Sequence, residues 1–332
     1  MNSPITGKEM VLTKESRTLS FRKEEFEVVY HAYKCVDSGE SFTTEQLDEL
    51  NLTQLYNQYR VKFNLPFPEK IKSIREKYDI PVSKMSEVLG FGANSYRNYE
   101  AGEVPSQSNA RLIQLVDDAH EFKKLVELSN AYEGKAKENI LRKVESIIHE
   151  QNQIKKKLEI ENYLIGPKSV NSNTGYRQPD LAKFSEMVVF FTEQIQPWKT
   201  KMNKLLFYAD FAMYSRSGYS ISGMQYKAIK MGPVPNNFQS LFEYLANNAE
   251  VDIYCTSFDD GNIGEQFQPN VSRSFNPKLF NEMELNTLQE IAERFRTTST
   301  NDIIKISHRE KAWIENVEEK RIIDYRYSFD LN

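Results

Sequence analysis

The chain has 332 residues, 39% apolar and 27% charged, with a net charge of −4 and two cysteines. That length is about twice an ordinary domain, so two domains with a connector are expected, and no apolar run reaches the roughly 18 to 20 residues of a membrane span. Cys35 and Cys255 are too few and too far apart for a disulfide framework or a cysteine-only metal site, and the weakly acidic balance means that any DNA binding must come from a local face and a defined motif.

The opening MNSPITGKEM lacks a basic patch followed by an apolar stretch, so no secretory signal is read there and the cytoplasm is the expected compartment. Residues 1–45 alternate β-prone and polar positions, as in Glu27, Val28, Val29, Tyr30, His31, Ala32 and Tyr33, and predict a small sheet that needs a staple or a neighbour. Residues 46–128 read as several short helices punctuated by Pro66, Pro68, Pro81, Gly90, Gly92, Gly102 and Pro105. Over 129–165 one charged connector helix is expected, with Ile140, Leu141, Val144, Ile147, Ile148, Ile154 and Leu158 at helical spacing. It is a candidate homodimer seam, interrupted at Gln151. The stretch GPKSVNSNTGYRQPD, 166–180, predicts a flexible linker, and 181–332 a second globular domain. The expected fold class is mostly α with small β elements (α+β).

Within the second segment, VSKMSEVLGFGANSYRNYEAGEVPS begins at Val82. Met85, Val88 and Leu89 form the apolar side of a short helix, Gly90 and Gly92 permit a tight turn, and Tyr96 and Tyr99 return the next helix to the same core. Ile71 and Ile74 on a preceding helix, and Leu112, Ile113, Leu115 and Val116 on a following one, complete a helix-turn-helix bundle. It resembles the phage-repressor-like family, whose second motif helix ends in an aromatic, an acid, a small residue and glycine, here Tyr99, Glu100, Ala101 and Gly102. The resemblance implies that this second helix enters the major groove of promoter duplex DNA, with Asn94, Ser95, Arg97 and Asn98 at base edges and Lys84 on phosphate. The alternative is a solvated outer face of an interaction module, which the acids Glu87 and Glu100 would suit.

Ser3-Pro-Ile-Thr6-Gly and Tyr33-Lys-Cys35-Val-Asp-Ser38-Gly-Glu resemble the two C-x-x-C knuckles of a zinc ribbon. Only Cys35 of four ligand positions is a cysteine. A degenerate zinc-ribbon-like sheet without metal is therefore expected, held by Phe21, Phe26, Tyr30 and Phe42. This sheet followed by the helix-turn-helix is similar to the MqsA-type antitoxins of type II toxin-antitoxin systems.

In the last segment, Met202, Leu205, Leu206, Ala209, Ala212 and Met213 form a buried helical stripe. A strand is predicted over 225–229, a sharp turn at Gly232-Pro-Val-Pro, and a helix over 236–247. The runs KLLFYAD at Lys204, AIKMGPVP at Ala228 and SHREKAW at Ser307 together resemble the Panacea, or SocA-like, antitoxin domain. The resemblance implies capture of a cognate protein toxin, usually from an adjacent gene, and Lys204, Tyr208, Asp210, Lys230 and Pro233 are the candidate toxin-binding residues. For Lys204, Tyr208 and Asp210 the alternative is a helix face with ordinary intrahelical pairs, and Phe207, Tyr208, Phe211, Tyr214 and Tyr219 are either interface anchors or core. His308 and Glu310 near Trp313 are the only hint of acid-base chemistry, and a capping or core histidine is the preferred reading, so no enzyme, cofactor or metal is expected. The resulting expectation is an antitoxin that neutralises its toxin and binds its own promoter as a homodimer, with no membrane partner. The competing reading is a transcription regulator or proteolytic adaptor whose C-terminal domain binds a non-toxin protein.

Overall fold

The computed structural model describes residues 1–166, 169–258, 261 and 263–331, with the backbone alone over 151–161. The chain divides into two units, 1–159 and 160–332. Its first element is a long antiparallel hairpin of β1 (Val11–Phe21) and β2 (Glu24–Lys34), in which Val11 faces Lys34 and Phe21 faces Glu24. The two-residue turn puts Arg22 and Lys23 at positive φ, 49° and 70°, the backbone that matches strand twist in tight hairpins. Arg22 is held there because its guanidinium donates to the Val104 and Pro105 carbonyls at 2.6 and 2.8 Å. Strand β3 (Ser41–Phe42) pairs with the end of β2.

The staple this small sheet needs is helix α1 (Glu45–Lys62). Asn51, Gln54 and Gln58 lie on one face of α1, and their amides act as a third strand against the free edge of β2. Asn51 Oδ1 accepts the His31 N–H at 2.8 Å while its Nδ2 donates to the His31 carbonyl at 3.0 Å. Gln54 repeats the exchange at Val29, and Gln58 donates to the Glu27 carbonyl at 2.8 Å. A buried strand edge without such partners would leave backbone groups unpaired at a cost comparable to lost hydrogen bonds. Phe21 and Phe26 complete the contact against Tyr59, at centroid distances of 5.0 and 6.2 Å. Thus α1, expected to open the helical segment, serves the sheet.

Helices α2 (Pro68–Tyr78), α3 (Val82–Val88), α4 (Ser95–Glu100), α5 (Gln107–Leu115) and α6 (Ala119–Leu128) form the expected bundle. Pro68 opens α2, where its missing N–H costs nothing, and the Ser106 hydroxyl caps α5 by accepting the Asn109 N–H at 3.1 Å. Ile71, Ile74, Met85, Val88, Ile113 and Phe122 fill the core. Two tyrosines bury their rings there and satisfy their hydroxyls: Tyr78 donates to the Val116 carbonyl at 2.6 Å and Tyr96 to that of Ile71 at 2.7 Å. Helix α7 (Gly134–Ile165) sends Ile140 and Val144 into this same core. Those two residues of the expected dimer seam are therefore spent inside the bundle, while the side chains of Ile154 and Leu158 lie outside the described residues.

The second unit is built around α9 (Lys199–Ser217), packed by α8 (Leu181–Ile195), α11 (Glu282–Phe295) and α12 (Thr300–Ser307). A hairpin of β4 (Tyr226–Ile229) and β5 (Gly232–Pro235) lies against it, followed by α10 (Phe238–Asn247), a second hairpin of β6 (Asp252–Ser257) and β7 (Ile263–Gln268), and a last turn α13 (Lys311–Ile314). The Gly-Pro-Val-Pro run is strand β5, not the sharp turn expected; the reversal is at Lys230–Met231. Two prolines are tolerated because β5 is an edge strand, the other side of β4 being taken by Ile322 and by the Ala228 N–H donating to the Arg321 carbonyl. Part of the expected linker also belongs to this unit: Ser172–Thr174 is a 3-10 turn, Ser172 donates to Asp324 at 2.7 Å, and Thr174 and Tyr176 are buried. Pro167 and Lys168 lie outside the described residues. Among the described residues no helix is long and apolar enough to cross a membrane.

Candidate functional site

Between α3 and α4, Leu89 caps α3 and Gly90 takes φ 67°, which lets the Phe91 N–H return to the Ser86 carbonyl at 2.8 Å. Tyr96 and Tyr99 then fix the rotation of α4 by burying one side of it. The other side carries Asn94, Arg97 and Asn98, all exposed, with Ser95 half-buried at the helix start. The four expected base-contacting residues are thus brought together on one surface. Among the described residues Arg97 has no ion-pair partner.

The charges around that face are rearranged relative to expectation. Glu100 turns inward, where its carboxylate accepts from Arg75 Nε at 2.7 Å and Nη2 at 3.3 Å. This pairing raises the Arg75 pKa. Glu87 is paired with Lys84 at 2.6 Å. The two acids that would oppose phosphate are therefore compensated within the bundle. Lys84, expected on phosphate, here has its ammonium donating both to Glu87 and, at 2.9 Å, to the Ala131 carbonyl.

The four ligand positions of the degenerate ribbon do converge. Two matching turns, closed by Gly7 to Ser3 at 2.9 Å and Gly39 to Cys35 at 2.8 Å, bring Ser3, Thr6, Cys35 and Ser38 together, with Gly7 and Gly39 at φ 71° and 74°. Thr6 Oγ1 lies 3.4 Å from the buried Cys35 sulfur. Hydrogen bonds from Ser3, Ser38 and Thr6 pull the thiol pKa down to about 6. This donor set does not fit zinc: a structural site draws on thiolates and imidazoles, and three hydroxyls stay neutral and weakly binding. The hydroxyls instead satisfy the single sulfur and the turn backbone, as when Ser3 Oγ accepts from the Ile5 and Thr6 N–H groups.

In the second unit the three separated motifs meet. Lys204 on α9, Gly232 on β5 and Ser307 at the end of α12 are in contact, so close that a Cβ on Gly232 would lie 2.5 Å from Lys204 Cε and 2.6 Å from Ser307 Oγ. Gly232 also has φ 97°, so only glycine fits. The fully buried Lys204 ammonium donates to the Pro233 carbonyl at 3.0 Å, and burial pulls its pKa down to about 7. Two turns along α9, Asp210 accepts four hydrogen bonds: the Ile221 and Ser222 N–H groups at 2.8 Å each, the Ser222 hydroxyl, and the Tyr226 hydroxyl at 2.7 Å. Burial raises its pKa, and the donors from Ser222, Tyr226 and Ile221 oppose that rise. Tyr208 donates to the buried Glu310 carboxylate at 3.0 Å.

Lys204, Tyr208, Asp210 and Pro233 are therefore internal, held by long-range partners rather than by the intrahelical pairs that were the alternative; Lys230 alone of the expected toxin-binding set is exposed. Of the aromatics, Phe207, Tyr208, Phe211 and Tyr214 are core, and Tyr219 is half-buried. His308 and Glu310 do not form an acid-base pair. Glu310 serves Tyr208, whereas the His308 N–H caps α12 and its ring stacks on Trp313 at 3.8 Å, with Trp313 Nε1 donating to the Ile229 carbonyl. Burial lowers the His308 pKa, and the nearby Lys204 adds to the effect. Sequence reasoning placed Gly232 and Ser307 in its motifs without giving either a role in the site, and did not name Tyr226.

Two family models match the chain, in agreement with both resemblances. Residues 202–314 match a SocA-like antitoxin Panacea domain, and residues 1–128 match MqsA, the antitoxin component of a bacterial toxin-antitoxin system. No curated protein matches it.

Proposed function

We propose that this chain, an MqsA-type antitoxin region joined to a SocA-like Panacea domain, neutralises a cognate protein toxin by direct contact through its second unit and binds its own promoter as a dimer through the helix-turn-helix. The observation that carries the promoter half is the exposed set Asn94, Arg97 and Asn98 beside acids already compensated by Arg75 and Lys84. That surface offers bidentate donors for guanine and amides for adenine without a like-charge penalty against the duplex. Arg97→Ala is expected to weaken binding to the chain's own promoter by about 1 to 3 kcal/mol, read by gel-shift titration at fixed salt, while toxin neutralisation is kept. An unchanged affinity would remove Arg97 from base readout.

In the second unit the motif residues are interior, so their support of the fold is indirect and the contact with a toxin falls to what they display. The exposed reversal Lys230–Met231, held by Lys204 and Pro233 from below and by Trp313 on Ile229, is the displayed part. The reading assigns binding and no catalysis to this domain. Co-expression of the full chain with the product of an adjacent gene is expected to rescue growth arrest caused by that product, and the Lys230→Glu/Met231→Asp variant is expected to lose the rescue while remaining folded. A neighbour that is harmless alone, or full rescue by that variant, would count against the reading.

A further inference from the structure

The amide ladder covers one side of β2 and leaves β1 as the other edge of the sheet. Outward groups of β2 at Glu27, Val29 and His31 are taken by α1, so the alternating even residues of β2 face β1, opposite Thr13, Glu15 and Arg17. In an antiparallel pair the residues between those turn their backbone N–H and C=O the other way. On β1 the outward groups are therefore those of even-numbered residues, and among the described residues no hydrogen bond reaches the outward backbone of Leu12, Ser16, Thr18 or Ser20. The strand is eleven residues long and largely exposed, including apolar Val11 and Leu12, and its neighbours β2 and α1 lie on the other sides.

We propose that β1 pairs antiparallel with β1 of a second copy about a two-fold axis through Ser16, joining two three-stranded sheets into one of six strands. Charge selects the register. Outward residues must meet outward residues, so the axis passes through a single residue of the strand. An axis at Ser16 engages all eleven residues, sets Leu12 opposite Ser20, and places Glu15 opposite Arg17 of the other copy twice over. These are non-hydrogen-bonded pairs, where facing side chains approach most closely. Axes at Lys14, Glu15 or Arg17 set that charge against its own copy, and an axis at Thr18 faces Glu15 with Phe21 and Arg17 with Leu19. Glu15 and Arg17 already share one face of the strand, 3.2 Å apart, so the two pairs merge into a four-charge cluster. Pairing supplies the dimer that the promoter reading calls for, but does not depend on DNA.

Sedimentation velocity of the full chain without DNA tests it, so that failure of pairing and failure of promoter reading are seen separately. Wild type is expected to reach a dimer in the micromolar range. Ser16→Pro removes an outward N–H and leaves the β2 ladder whole, so it is expected to give a monomer with unchanged thermal unfolding. Arg17→Glu sets two carboxylate pairs across the axis and is expected to weaken the dimer about tenfold, and adding Glu15→Arg, which exchanges the charges, is expected to restore it. A monomeric wild type, a dimer that persists in Ser16→Pro, or no recovery in the charge exchange would overturn the pairing.

Discussion

Replacing Asp210 by alanine is expected to destabilise the second unit by more than about 4 kcal/mol, the largest effect of any single substitution considered for it. Its two oxygens accept four donors: the Ile221 and Ser222 N–H groups and the Ser222 and Tyr226 hydroxyls. Alanine would remove the carboxylate acceptor from all four buried donors, each loss costing about 1 to 3 kcal/mol before relaxation. The damage would spread because residues 220–223 seat the start of the unit. The Asp180 N–H donates to the Ser222 carbonyl, and Gly223 lies so close to Gln178 that a Cβ would sit 2.6 Å from its carbonyl oxygen. Both tryptophans, Trp198 and Trp313, belong to the second unit, so urea unfolding followed by tryptophan fluorescence isolates its transition. A midpoint within error of wild type would show that Asp210 does not organise this loop.

The second large effect is a dependence of stability on pH that Lys204 imposes. Its ammonium is fully buried and donates to the Pro233 carbonyl, and its pKa falls to about 7, whereas an unfolded lysine titrates near 10.4. Between those values the unfolded chain binds the additional proton, so stability rises with pH across that window, and the penalty for burying the charge is fully felt below about pH 7. The rise is expected to reach about 4 kcal/mol in all. Lys204→Met keeps the volume, removes the charge, and forfeits one hydrogen bond worth about 1 kcal/mol. It is expected to be more stable than wild type at pH 7 and to lose most of the rise from pH 7 to 9.5. The comparison stops there because buried tyrosines such as Tyr214 and Tyr226, raised well above 10 by burial, begin to act in the opposite sense. Parallel pH profiles for the two proteins would mean that the amine is paired or hydrated.

The exposed face of α4 was legible from residues alone because it is local. Tyr96 and Tyr99 point to the core with helical spacing, and that rotation leaves Asn94, Arg97 and Asn98 outside whatever else the chain does. Lys84 was not legible, since the carbonyl that takes its ammonium belongs to Ala131, 47 residues on. The same holds in the second unit. Lys204, Tyr208 and Asp210 sit in an apolar stripe and could be read as a polar helix face, yet their partners Pro233, Glu310 and Ser222 come from 29, 102 and 12 residues away. Gly-Pro-Val-Pro carries strong local turn chemistry, but a hairpin edge with its partner strand covered on the far side accepts it as a strand.

Helix spacing, cap chemistry and glycine conformations act over a few residues, so the short helices of the first unit, the paired knuckle turns and the mostly helical class are consequences of local chemistry that any reading of the chain can recover. Which polar groups go inside is a different kind of decision. Burying the amide ladder of α1, the amine of Lys204 or the carboxyl of Asp210 costs several kcal/mol unless partners arrive, and those partners are delivered by segments that are neighbours only after folding. The tertiary structure therefore chose the interior of the second unit and, by closing one edge of the sheet with α1, left β1 as the other edge.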